Sequence, residues 1–140
     1  MDTANIRLCN NDDLDMLAVM NRQLIEDEQH DNTMDIGQLK ERMRGFISGD
    51  YNACMFTDNN GIIGYALVDM KRTPLYLRQF FITRDKRRKG YGTLAFNRLM
   101  QLLGTGTMDI EVMVWNDTGK AFWKSLGFKE RSVYMRKKAK

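Results

Sequence analysis

The chain has 140 residues, 43% of them hydrophobic, which suits one folded domain (1–140) with a real core. Its two cysteines, Cys9 and Cys54, make neither a metal cluster nor a disulfide framework, and no apolar run nears the roughly 20 residues that cross a bilayer. The net charge of +4 is modest and local, with Arg84, Lys86, Arg87, Arg88 and Lys89 in one stretch and Arg136, Lys137, Lys138 and Lys140 in a tail. Such clustering points to an anion site rather than to a generally basic surface. With no signal-peptide pattern, the expectation is a soluble cytoplasmic protein without membrane or metal.

Ile6 to Leu8 reads as a short strand. Asn11, Asp12 and Asp13 offer helix caps, and Leu14, Leu17, Ala18, Leu24 and Ile25 then follow near helical spacing. Glu26 to Asn32 is polar and acidic and ends that helix. Ile36, Leu39, Met43, Phe46 and Ile47 mark a second amphipathic helix. Tyr51–Thr57 and Ile62–Asp69 read as strands joined by Asp58-Asn59-Asn60-Gly61, a strong hairpin signal. Leu75–Ile82 is a third, longer strand. A helix is expected over Thr93–Leu103, stopped by Gly104 and Gly106. Met108–Trp115 alternates like a strand, a short helix runs from Asp117 or Thr118 to Leu126, and Phe128–Arg136 is read as a last strand. The order β-α-α-β-β-β-α-β-α-β predicts an α/β (mixed α+β) domain. Its central sheet is mixed and flanked by helices, with the strands before and after the Thr93 helix as parallel neighbours.

The stretch Arg87-Arg88-Lys89-Gly90-Tyr91-Gly92, between a strand and a helix, suits a phosphate-rich ligand. Glycines let backbone N–H groups approach an anion, and the helix start adds partial positive charge. Gly90-Tyr91-Gly92-Thr93-Leu94-Ala95 formally satisfies the dinucleotide fingerprint, but seven residues separate the strand from Gly90, where that fold allows almost none. A nucleic-acid module would use the same basic loop as a phosphate clamp, yet no basic-aromatic interleaving elsewhere widens the footprint.

The same stretch resembles the pyrophosphate loop [Q/R]-x-x-G-x-[G/A] of the GCN5-related N-acetyltransferase (GNAT) family. Asn116 through Phe128, with Asn, a small residue three on, an aromatic seven on and then Leu-Gly-Phe, is similar to a later element of that family. Ile63-Gly64-Tyr65-Ala66 looks like its third strand. The resemblance implies acetyl-CoA as cofactor and direct transfer of acetyl to a primary amine in a ternary complex. It also implies that Arg87, Arg88, Lys89, Gly90, Tyr91, Gly92 and Thr93 hold phosphates, and that Phe81, Ile82 and Asn116 meet the pantetheine. A homodimer is common in the family.

Amine acylation needs a base, a donor for the carbonyl oxygen and an outlet for the thiolate. The resemblance implies Glu111, five residues before Asn116, as base; the plain alternative is a solvent-facing strand carboxylate. The family's usual acid, a Tyr seven residues after the Asn, is Trp123 here, and an indole N–H is not a proton source. Trp123 is therefore expected to pack on pantetheine or hold the sulfur. Tyr134 is a distant substitute acid; otherwise the thiolate leaves unaided. Glu26, Glu28 and His30 concentrate in the loop that borders the acceptor in this family, and suit a cationic amine. Two further readings stay open: a CoA-binding sensor domain that has lost catalysis, and a nucleic-acid module.

Overall fold

The computed structural model describes residues 4–139. Five strands form one sheet in the order β1 (Asn5–Leu8), β2 (Tyr51–Asp58), β3 (Gly61–Asp69), β4 (Tyr76–Ile82), β5 (Asp109–Ile110). The first four are antiparallel, while β5 runs parallel to β4. Helices α1 (Leu14–Asp27) and α2 (Ile36–Ser48) cover one face; α3 (Tyr91–Leu103) and α4 (Asp117–Ser125) cover the other.

Local chemistry sets the element ends. Asn10 and Asp13 form a capping box ahead of α1, with Asp13 held by Arg7 at 2.8 Å. Asp35 and Gln38 repeat the device at α2. In the β2–β3 hairpin the Asp58 carboxylate accepts the Asn60 N–H at 2.8 Å, and Gly61 takes a positive φ that a side chain would disfavour. Ala53–Phe56 and Ile63–Val68 are buried without alternation because both faces of β2 and β3 are covered. Leu77, Phe96 and Leu99 pack on one face, and Leu14, Met55, Tyr65 and Phe81 on the other. Each large side chain so buried contributes about 1.5–3 kcal/mol. Gly64 is required by proximity, since a Cβ there would stand 2.0 Å from the Phe81 carbonyl oxygen.

Two expected strands differ. Of Met108–Trp115 only Asp109–Ile110 pairs, with Tyr76 and Leu77. The reason lies in β4. Leu67 pairs with Gln79 and Val68 with Leu77, so Arg78 is an extra, bulged residue that bends β4 away from β5. The chain then turns, with Asn116 N–H bonded to the Met113 carbonyl at 2.9 Å. The expected strand Phe128–Arg136 does not form: residues 128–139 carry no regular structure, and Val133, Tyr134 and Met135 are about four-fifths exposed. A two-residue β5 gives it no ladder to join, and three consecutive apolar side chains cannot share one face. Helix α3 begins at Tyr91, two residues before the expected Thr93.

Candidate active site

The bend in β4 opens a V between β4 and β5 from Arg78 onward. The Thr83 N–H donates to the Ile63 carbonyl at 2.9 Å, so by strand alternation the Phe81 N–H also faces β3. The N–H groups of Phe80 and Ile82 therefore face the V. Of the two expected backbone positions, Ile82 lines the opening and Phe81 does not. Phe80 was missed from sequence, because the bulge at Arg78 that sets the phase of the strand appears only in the pairing of β3 with β4.

Below the V, the loop after β4 leads into α3. Arg88 and Gly90 both take positive φ, 61° and 82°, which turns successive N–H groups toward a common point. Gly90 caps α3 without a side-chain hydrogen bond, unlike Asp35 at α2 and Asn116 at α4. A helix start carries N–H groups without an intrahelical acceptor and a partial positive charge, and Thr93 lies in this first turn. The Tyr91 ring is buried, and the Asp58 carboxylate lies against Tyr91 and, at 3.5 Å, against Lys86. The Asn60 N–H, with Lys86 and Tyr91, holds Asp58 below the usual carboxylate range. The hairpin turn thereby fastens the loop to the sheet.

The loop's basic side chains divide. Arg87 is turned back: its Nε donates to the Ile82 carbonyl at 2.9 Å and its guanidinium meets Asp27 at 2.6 Å. Arg84 meets Asp27 at 2.8 Å and Glu26 at 3.2 Å. Burial opposes the charge on Asp27, but the two arginines outweigh it and lower its pKa. Arg88 and Lys89 are exposed and have no ion pair among the described residues.

The acidic stretch after α1 is consequently part structural. Glu26 and Asp27 are engaged by arginines, and Asp31 by Arg136 at 3.1 Å. His30 is exposed, its Nδ1 accepting the Asn32 N–H. Glu28 differs. It is half-buried, and its carboxylate has no hydrogen bond or ion pair among the described residues. Burial, then the nearby charge of Asp27, pushes its pKa up to about 6. Its backbone carbonyl accepts Trp115 Nε1 at 2.9 Å, which ties the end of α1 to the chain beyond β5, across the V from β4. The fully buried Tyr65 feels the Glu28 charge, and its hydroxyl donates to Gln79 on β4 at 2.7 Å.

Glu111, next after β5, is exposed and interacts with Tyr76 across the β4–β5 pair. Asn116 caps α4, its Oδ1 accepting the Gly119 N–H at 3.0 Å; a Cβ at Gly119 would collide with it. Trp123 lies edge-on to Phe80, Phe96 and Phe128 at 5.2–5.7 Å, so it buttresses the strand that lines the V. Tyr134 lies in the exposed tail, where its hydroxyl accepts from Arg136.

Residues 10–138 match the acetyltransferase (GNAT) domain family. No curated protein sequence matches the chain. Among solved structures, a "possible acetyltransferase" from Clostridium difficile 630 is 19% identical, with 99% of this chain and 98% of that chain covered and a TM-score of 0.77. A "predicted acetyltransferase" from Clostridium acetobutylicum, solved with acetyl-CoA, is 15% identical, with 97% and 96% covered and a TM-score of 0.72. The aminoglycoside N-acetyltransferase AAC(6')-Iy, solved with CoA, is 17% identical, with 99% and 97% covered and a TM-score of 0.72. With the V-shaped sheet, the loop before α3 and the match over nearly its whole length, the chain belongs to the GNAT acetyltransferase family.

Proposed function

We propose that this protein transfers an acetyl group from acetyl-CoA to an amine, directly and without a covalent enzyme intermediate. The observation that carries the reading is the opened β4–β5 pair, with the Phe80 and Ile82 N–H groups turned into the slot, above a positive-φ basic loop that leads into α3. Acetyl-CoA fits that donor set, and the neighbours solved with acetyl-CoA and CoA support it. The Gly92 and Thr93 N–H groups, with the Arg88 and Lys89 side chains, hold the phosphates. The Phe80 and Ile82 N–H groups bind pantetheine and the carbonyl oxygen, where negative charge builds during attack.

When bound, the thioester supplies an activated acetyl group and a thiolate leaving group. The amine must arrive neutral. We assign its proton to Glu28, whose pKa is pushed up to about 6 by burial and whose carboxylate has no partner among the described residues. The amine nitrogen bonds to the acetyl carbon, the C–S bond breaks, Glu28 holds the proton, and the thiolate leaves without a dedicated acid. Trp123 supports Phe80 from behind. Glu111 is the second candidate base, favoured by its place directly after β5, where the V begins to open.

Thermal unfolding with acetyl-CoA, dephospho-CoA and NADPH in parallel tests the cofactor. A ligand at about 100 times its Kd adds roughly 2.7 kcal/mol. Stabilisation by acetyl-CoA most strongly is expected; no shift with it, or a larger one with NADPH, overturns the reading. Thiol release with amines then tests transfer. Loss of turnover in Glu28→Gln but not in Glu111→Gln is expected, and the reverse moves the base to Glu111.

A further inference from the structure

Two arginines on the α1–α2 face of the sheet converge on one pair of aromatic rings. Arg78 sits at the β4 bulge, and Arg42 comes from α2. Both guanidinium groups lie against the Phe46 ring, at 4.9 and 5.5 Å, and Arg78 also reaches the Tyr51 ring at 6.0 Å. The Phe46 and Tyr51 rings are themselves 4.6 Å apart, so the two cations share one aromatic platform.

Neither arginine has a carboxylate partner among the described residues. Arg42 donates to buried Asn21 at 3.2 Å, and its Nε is buried without a partner. Arg78 reaches only the Tyr51 hydroxyl, at 3.4 Å. Arg72, Arg88 and Arg98 also lack an acid among the described residues, but none of them shares its ring with a second guanidinium. Burial, then repulsion from Arg78, lowers the Arg42 pKa. Two like charges brought together, with donors left over, form a site that is completed by an anion. Two guanidinium groups held beside each other against aromatic rings present planar N–H forks that suit a carboxylate.

The place of the pair in the fold says which carboxylate. Arg78 precedes Gln79, which accepts the hydroxyl of Tyr65, the residue that senses Glu28. It stands two residues, about 7 Å along a strand, from Phe80 at the V. The phosphate cradle lies beyond the other end of β4, after Ile82. The pair therefore borders the acceptor side.

We propose that Arg42 and Arg78 form a subsite for a carboxylate of the acceptor. The acceptor is then an amino-carboxylate such as an amino acid or short peptide, with its amine directed to Glu28. This inference rests on the acetyl-transfer reading above. It also disfavours polycationic acceptors, which would place further positive charge beside two arginines.

The test compares alanyl-alanine, its C-terminal amide and neamine as acceptors at saturating acetyl-CoA, following thiol release. The free dipeptide is expected to exceed its amide by about tenfold or more in kcat/KM, with neamine below both. Arg42→Gln and Arg78→Gln should each raise KM for the dipeptide by about tenfold or more, leaving the amide and the acetyl-CoA thermal shift unchanged. Arg78→Lys should recover part of the preference. Equal use of dipeptide and amide, better use of neamine, or a preference that survives both substitutions overturns the proposal. Calorimetric titration of alanyl-alanine into the CoA-loaded protein reads the subsite without turnover. Binding that both Gln variants lose supports the subsite even if no amine is acetylated, an outcome that would sink only the transfer reading. No binding to the parent protein overturns the subsite.

Discussion

Replacing Glu28 by Gln separates a buried charge from an ordinary surface carboxylate. Its pKa rises from 4.5 to about 6, mainly through burial. Between those values the folded chain binds more protons at this site than the unfolded chain. Stability therefore falls as pH rises through that window and stays lower above it. The rise corresponds to about 2 kcal/mol of cost carried at neutral pH. Gln has the shape of the protonated acid and removes that cost. The variant is expected to be about 2 kcal/mol more stable than the parent at pH 8, or about 6 °C in Tm, and equal to it near pH 4. Its activity should move the other way. With the parent, kcat/KM should climb with pH through about 6 as Glu28 ionises; the variant should lose about 10²–10⁴ in rate and lose that limb. Melting curves from pH 4 to 8 and a pH–rate profile measure both. A variant less stable than the parent at pH 8, or a gain that persists at pH 4, would refute the burial argument. Undiminished turnover with the limb intact would remove Glu28 as base.

Gly90→Asp puts a side chain at φ 82° and a carboxylate at the proposed phosphate site. The domain should still melt cooperatively, yet lose the roughly 2.7 kcal/mol of stabilisation by acetyl-CoA, as differential scanning fluorimetry would record. Gly64→Ala forces a Cβ to within 2.0 Å of the Phe81 carbonyl, so β3 and β4 must part. A loss of about 2–3 kcal/mol in urea melts is expected, and a neutral result would contradict the register described. Trp123→Ala should cost about 3 kcal/mol by emptying the ring cluster around Phe80, while Trp123→Phe keeps most turnover. A large rate loss in Trp123→Phe without a stability change would instead assign the indole a direct part in the chemistry.

What could be read from sequence alone was local. A Gly-x-Gly before an amphipathic run, an Asp-Asn-Asn-Gly turn between apolar stretches and an Asn three residues before Gly119 each declare themselves within a few residues. Caps, turns and helix starts are short-range chemistry. These placed α1, α2, the β2–β3 hairpin and the loop that leads into α3, and the strand–helix–strand order implied that β4 and β5 run parallel. Tertiary structure decided everything that depends on residues distant in sequence. Met108–Trp115 alternates like a strand, but its pairing partner bends away at Arg78, a bulge visible only once β3 and β4 are in register. Phe128–Arg136 lost its ladder for the same reason. Arg87 matched a phosphate-loop position by sequence, yet Asp27, sixty residues earlier, claims its guanidinium. Glu28 looked like one acid in an acidic run. The packing of α1 on β3 and β4, and the Trp115 bond across the V, withdraw it from water and leave it unpaired. Residue type and spacing state what a side chain is able to do. Burial and long-range charge, which no local pattern encodes, select which of several similar side chains is placed to do it.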